Sequence, residues 1–272
     1  LNVFYKRNKN SLFHAHSMYY IFLCWFSNIK YISTPMGSDV LVRPRNNFIY
    51  KIFTILSLKK SDKITVDSVD LYDTIIKYTS KKSYIIQNGV NTKSLLKNNF
   101  KFKRNKISSI RAIYPNYQIE EIINSMKHSE LKVSFFYPFY EKNLRKKLIT
   151  NNKLVNDLES LSKNRMYSIL KKSKLCISIP ISDSSPRSVY EAIFSGSVVA
   201  VTDLNWLRSL TECMKERIII VDIKDKLWLE NAVLKSKKII KNKYVPSSEA
   251  INKFDQFNSM KYLSTHIYKF KI

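Results

Sequence analysis

Residues 174–203, KLCISIPISDSSPRSVYEAIFSGSVVAVTD, confine the chain to an α/β fold with a parallel sheet. Residues 174–179 place Leu and Ile among small residues, the pattern of a strand buried on both faces. A polar turn follows over 180–185, and Ser185 with Pro186 reads as an N-cap and a first helical position, where a missing N–H costs nothing. The helix runs to about Ser195 and is stopped by Gly196. The β-branched run at 197–201 is a second buried strand. A helix between two such strands is the crossover that parallel strands need.

Two carboxylates flank the start of this helix. Asp183 lies in the loop beyond the first strand, and Glu191 follows eight residues later on the second helical turn. Between them the N–H groups of Arg187, Ser188 and Val189 point out of the helix end. A helix N-terminus beside the carboxyl ends of parallel strands is where α/β proteins bind phosphate. Carboxylates there suit sugar hydroxyls rather than anions, and a nucleotide sugar offers a diphosphate, a ribose and a hexose together.

The stretch resembles the retaining glycosyltransferases of family 4, in which an acidic residue, seven intervening residues and a glutamate precede a small-residue helix, a glycine and an apolar strand. Here these are Asp183, SSPRSVY, and Glu191-Ala192-Ile193-Phe194-Ser195-Gly196. The resemblance implies the GT-B architecture, two Rossmann-like α/β domains facing across a cleft. It assigns Asp183 to the donor sugar's hydroxyls, Glu191 to the ribose, and Arg187, Ser188 and Val189 to the diphosphate. Family members have a first acid that is more often Glu; Asp followed by Ser-x-Pro occurs in a subgroup.

Other segments extend the resemblance. The strand expected over 107–111, ISSIR, ends on Arg111, where family members carry a phosphate-binding Arg with a Lys a few residues on; here Asn116-Tyr117 stands in that neighbourhood. The plainer reading of Arg111, a surface cation at a strand end, is the lesser of the two. SLFHAHS at 11–17 resembles the family's cleft segment, with His16 on the acceptor side. His14 and His16 point the same way, but no third metal ligand lies near in sequence. Met36-Gly37-Ser38-Asp39 matches the glycine-Ser-Asp turn, so Gly37, Ser38 and Asp39 are acceptor-side candidates; Met36 replaces the His or Trp frequent there. Asp39 either bonds acceptor hydroxyls or caps the following helix. Gln87-Asn88-Gly89-Val90-Asn91 resembles the Asn-Gly-Val-Asp turn that closes the first domain.

Further strands are expected at 29–35, 63–68, 83–86, 131–136 and 218–221, and helices at 18–26, 46–59, 69–78, 119–127, 141–148, 164–172, 205–213, 227–238 and 247–270. Domains follow at 1–105 (acceptor side, with a basic linker over 93–106), 106–245 (donor side) and 246–272, a helix crossing back to the first. Family members begin with a strand and a glycine-rich loop; none precedes FHAHS here, so the resemblance implies a truncated first domain.

Only three glycines occur, Gly37, Gly89 and Gly196, where ordinary usage would give about 19. Each is expected at a position that needs a positive φ or close backbone approach. The net charge of +26 calls for an anionic partner. Its basic segments are scattered, without the aromatic interleaving or the reader motif of a nucleic-acid binder. Cys24, Cys176 and Cys213, widely spaced in apolar settings, read as buried thiols. The apolar run at 18–26 is too short to span a bilayer. The expectation is a cytoplasmic enzyme, peripheral on the inner face of the plasma membrane. It moves a sugar from a nucleotide-diphosphate donor to a glycan or lipid-linked acceptor with retention, in cell-surface polysaccharide or lipopolysaccharide synthesis. No D-x-D sequence occurs, so no metal and no other cofactor is expected. The alternative is a catalytically inactive remnant that keeps nucleotide binding.

Overall fold

The computed structural model describes residues 2–8, 11–97 and 102–269, and divides into two compact units, Leu1–Asn88 with Phe257–Ile272, and Gly89–Gln256. The first break falls inside the Asn88-Gly89 turn, and residues 89–105 belong to the second unit. Of the linker expected over 93–106, residues 98–101 lie outside the described residues, as does Phe270 of the expected last helix.

In the first unit, strands β1 (His14–His16), β2 (Ile32–Thr34), β3 (Lys63–Val66) and β4 (Ser83–Ile85) form a parallel sheet in that order. Met18, Ile21 and Cys24 of the Ser17–Phe26 helix, Leu58 of the Phe48–Lys60 helix and Leu71 and Ile75 of the Val69–Tyr78 helix pack with Ile64 and Val66 into one core. The expected helix at 46–59 is two helices, Arg43–Asn46 and Phe48–Lys60. Asn47 is extended between them, and its side chain accepts from Tyr50 N–H at 2.9 Å to cap the second.

The second unit holds β5 (Lys106–Ser109), β6 (Val133–Phe135), β7 (Val155–Asp157), β8 (Ser173–Ser178), β9 (Val198–Val201) and β10 (Ile218–Ile220). They form one parallel sheet in the order β10-β9-β8-β5-β6-β7. Strand alternation explains its burial. Leu175, Ile177, Val198 and Ala200 enter the core on one face, while Cys176, Val199 and Val201 enter the core on the other. A sheet covered on both faces requires the near-continuous apolar runs that β8 and β9 display. Strand order reverses between β5 and β8, which leaves a crevice beyond their carboxyl ends.

The Arg187–Phe194 helix follows β8, and its buried Tyr190 and Phe194 rings meet Trp206 and Phe254, and Tyr244, respectively. Gly196 ends it at φ 82°, a conformation costly for any residue with a Cβ, while Gly196 N–H and Ser197 N–H return to Ile193 O and Ala192 O. Two arginines also close helix ends, this one among them. Arg104 donates to Leu170 O, Ser173 O and Ser195 O, and the buried Arg217 donates to Ile239 O and Asn242 O beside the Tyr244 ring.

Gly89 meets the chain again at Gln256. A Cβ on Gly89 would stand 2.3 Å from Gln256 Cα and 2.5 Å from its N. Val90 N–H donates to Phe254 O (2.8 Å), Gln256 N–H to Val90 O (2.9 Å), and Thr92 Oγ1 to Asp255 Oδ2 (2.5 Å). This bridge breaks the helix expected over 247–270. Asp255 is extended, so the segment is Ser248–Phe254, Gln256–Tyr262 and a π-turn over Leu263–Tyr268. The helix expected at 205–213 is likewise divided, into a 3₁₀ turn Asn205–Ser209 and a short helix Glu212–Lys215, with Leu210 and Thr211 extended. Edge strand β7 gave no sequence signal, being three residues with only Val155 apolar. Cys24 and Cys176 are buried and Cys213 half-buried; all three are free thiols. Among the described residues no helix is long and apolar enough to cross a membrane.

Candidate active site

The crevice at the β5/β8 switch point holds a cavity of about 390 Å3, lined by Arg111, Tyr117, Tyr137, Phe139, Met166, Pro186, Arg187, Ser188 and Glu191 among others. Its size and apolar walls with a few convergent polar groups are those of a small-molecule site. β5 ends at Ser109, so Arg111 sits two residues into the loop beyond it. The guanidinium lies over the Tyr117 ring, 4.4 Å from its centroid, and donates to Ser188 Oγ at 3.0 Å.

Arg111 also makes an ion pair with Asp183, 2.6 Å between Nη2 and Oδ2, with both side chains largely buried. The sequence assigned these residues to different parts of a ligand, the diphosphate and the sugar; here each is the other's partner. Asp183 is not among the residues lining the cavity and reaches it through Arg111. Its other oxygen accepts from Ser184 N–H at 2.8 Å.

The helix start also differs from expectation. Pro186, not Ser185, is the N-cap, at φ −75° and ψ 84°. Val189 N–H is consumed by Pro186 O at 2.9 Å and Val189 is buried in the core, so of the three residues only Arg187 and Ser188 line the cavity.

Glu191 is 6% exposed. Tyr167 OH donates to its Oε1 at 3.2 Å, Arg187 Nε lies 3.8 Å away and Lys163 Nζ 4.0 Å. Burial raises the carboxyl above its usual range, opposed by Arg187, Lys163 and the Tyr167 hydroxyl. Burial and the adjacent carboxylate raise the Tyr167 hydroxyl in turn. A carboxylate so placed gains from any further donor, and a ligand hydroxyl is one. Tyr167 and Lys163 were not singled out from sequence. They precede Glu191 by 24 and 28 residues, although their own spacing of four marks one helix face.

Asn116 occupies the neighbourhood where the resemblance leads one to look for a lysine. Its side chain stitches the β5 and β8 loops together, donating to Ser182 O (3.0 Å) and accepting from Ser182 N–H (3.3 Å) and Ser182 Oγ (3.2 Å). Arg187 also donates to Gln256 Oε1 at 3.3 Å.

The acceptor-side candidates belong to the first unit. His16 is exposed, its ring 4.2 Å from that of His14. His14 bridges Tyr268 OH and Thr34 Oγ1, both at 2.6 Å, and Thr34 Oγ1 continues to Thr65 Oγ1. Burial and the neighbouring His16 lower His14 to about 4. Gly37, Ser38 and Asp39 open the Gly37–Leu41 helix. Asp39 is buried and accepts from Met18 N–H at 2.9 Å, with Arg43 at 3.4 Å. It therefore caps the preceding helix, Ser17–Phe26, rather than the following one. Among the described residues no three His, Cys, Asp or Glu side chains gather as a metal site.

No protein-family model and no curated protein matches the chain. Solved structures do. Sucrose-phosphate synthase from Thermosynechococcus elongatus aligns over 98% of this chain and 76% of its own, at 12% identity and TM-score 0.73. HepE of Anabaena, solved with UDP and glucose, aligns over 92% and 74%, at 11% identity and TM-score 0.69. A glycosyltransferase from Rickettsia africae aligns over 98% and 78%, at 14% identity and TM-score 0.69. With its two parallel Rossmann-like sheets, the chain has the GT-B fold.

Proposed function

We propose that the second unit binds a nucleotide-diphosphate sugar and that the protein transfers the sugar to a glycan or lipid-linked acceptor with retention, as in family 4. The observation that carries this reading is the convergence of Arg111, the Arg187–Ser188 helix start and buried Glu191 on one cavity at the strand switch point. The helix end and Arg111 would stabilise charge developing on the departing diphosphate. Glu191 would accept from the ribose hydroxyls, and Asp183, once Arg111 turns to phosphate, from the hydroxyls of the donor sugar. No metal is given a role. The net charge of +26 suits an acceptor held at an anionic lipid surface, as in cell-surface polysaccharide or lipopolysaccharide synthesis.

A second reading, a non-catalytic nucleotide binder, is favoured by two observations. Arg111 is already neutralised by Asp183, and Asn116 is committed to loop contacts where a second cation would help the leaving group. A thermal-shift titration with UDP, GDP, ADP and CDP on wild type and Glu191→Gln tests the shared donor site. One diphosphate should stabilise wild type strongly and the variant weakly; no shift with any of the four sinks both readings. Hydrolysis or transfer of the matching nucleotide sugar then separates enzyme from binder.

A further inference from the structure

Two helices of the first unit present apolar faces outward. On the Ser17–Phe26 helix Tyr19, Tyr20, Leu23 and Phe26 are exposed, and on the Phe48–Lys60 helix Phe48, Ile49, Ile52, Phe53 and Leu56. Spacings of three and four place each set on one helical stripe, opposite the buried Met18, Ile21 and Cys24 of the first helix and the buried Thr54, Ser57 and Leu58 of the second. The stripes join, because the Phe26 and Phe53 rings lie 5.9 Å apart and Trp25 touches both, at 4.7 and 5.7 Å. Tyr19, Phe26, Phe48 and Ile49 are each about two-thirds exposed or more (66%, 66%, 73% and 65%). A surface helix ordinarily turns its polar side to water, and a contiguous apolar face of this size marks an interaction site.

Charge identifies the occupant. The Ser17–Phe26 helix has no ionisable acid, and residues 43–60 carry Arg43, Arg45, Lys51, Lys59 and Lys60 with no Asp or Glu. Lys59 and Lys60 continue the second stripe one turn beyond Leu56, and Arg45 is exposed in the turn before Phe48. Asp62, the first acid beyond the stripe, is paired with Lys30 at 3.3 Å. Arg43 is paired with Asp39, which leaves Arg45, Lys59 and Lys60 as the exposed cations of the rim. Aromatic and aliphatic side chains so rimmed match the interface of an anionic bilayer, where rings sit at headgroup depth and lysines meet lipid phosphate.

We infer that this paired-helix face docks the protein onto anionic lipid, with Tyr19, Phe26, Phe48 and Ile49 entering the headgroup boundary. It locates on the molecule the membrane contact that the net charge alone only suggests, and it does not depend on the sugar-transfer reading. The test is flotation of the full chain with phosphatidylcholine vesicles, with and without phosphatidylglycerol. The comparison is between wild type, the triple variant Phe26→Ser/Phe48→Ser/Ile49→Ser and the pair Lys59→Glu/Lys60→Glu. Because the substituted side chains are exposed, thermal melts of the variants should match wild type. Wild type should bind the anionic vesicles. The triple variant should bind at least about tenfold more weakly at any salt, since affinity follows inserted apolar area. The charge-reversal pair should lose about tenfold at low salt, a difference that closes at high salt. Undiminished flotation of the triple variant overturns the inference, as does failure of wild type to bind anionic vesicles at low salt. So does a wild-type dimer that binds no vesicles and that the triple variant dissolves, which would make the face a contact between copies.

Discussion

Substituting Gly89 by alanine tests how tightly the second unit is closed. The new Cβ would meet Gln256 Cα at 2.3 Å, Gln256 N at 2.5 Å and Asp255 C at 2.8 Å, all backbone atoms that no side-chain rotation can move away. The two segments must therefore separate by about 1 Å to reach ordinary contact. That movement stretches the Val90–Phe254 and Gln256–Val90 hydrogen bonds, now 2.8 and 2.9 Å. Overpacking costs about 1–3 kcal/mol, and each weakened backbone bond adds up to about 1 kcal/mol. Gly89→Ala should then lose about 3 kcal/mol in urea unfolding, followed by the fluorescence of Trp206 and Trp228 in the second unit. Lys93→Ala, an exposed change nearby, is the control. If Gly89→Ala unfolds within about 0.5 kcal/mol of that control, the close approach is not as described and the reasoning fails.

Other changes follow from the same geometry. Asp183→Asn should release Arg111 and tighten binding of the stabilising nucleoside diphosphate by about tenfold in calorimetry, because one charge-assisted bond no longer competes with phosphate; weaker binding would mean that Asp183 orients Arg111 instead. His14 is held at about 4, below its ordinary 6.5, so its contribution is fully present above pH 6.5 and lost as the pH falls through that window towards 4. Discounted for partial exposure, the loss is about 1–2 kcal/mol, and His14→Gln should flatten this part of the stability–pH curve relative to wild type. Arg217→Leu strands two helix-end carbonyls and should lower stability by about 2–3 kcal/mol in a thermal melt, with Arg217→Lys recovering only part. EDTA should leave the nucleotide-induced shift unchanged, and its loss would show that the diphosphate needs a cation.

The sequence was most legible where one local rule acts alone. The apolar runs at β8 and β9 announced a doubly covered parallel sheet, and Gly196 marked the helix end it makes at φ 82°. Glu191 was legible because its spacing from Asp183 follows from one loop and two helical turns. What the sequence hid depended on partners distant along the chain. The Arg111–Asp183 pair joins residues 72 apart, Asp39 turns back 21 residues to cap Met18, and Asp255 leaves helical geometry to meet Val90. Local propensity is blind to all three. Pro186 as N-cap shows a smaller limit: the Ser-Pro pair placed the helix start to within one residue and no closer.

The division of the chain also sets an order of assembly during synthesis. The second unit is one continuous stretch, so a ribosome that has released Gln256 has delivered all of it. The first unit is interrupted: His14 waits 254 residues for Tyr268, and Lys63 waits more than 200 for the carbonyls of His266 and Ile267. The earlier-made unit is therefore the later one to finish, and through most of translation its four-stranded sheet is without its last segment. A chain ended at Gln256 and released should protect the second unit from protease while leaving the first open to cutting.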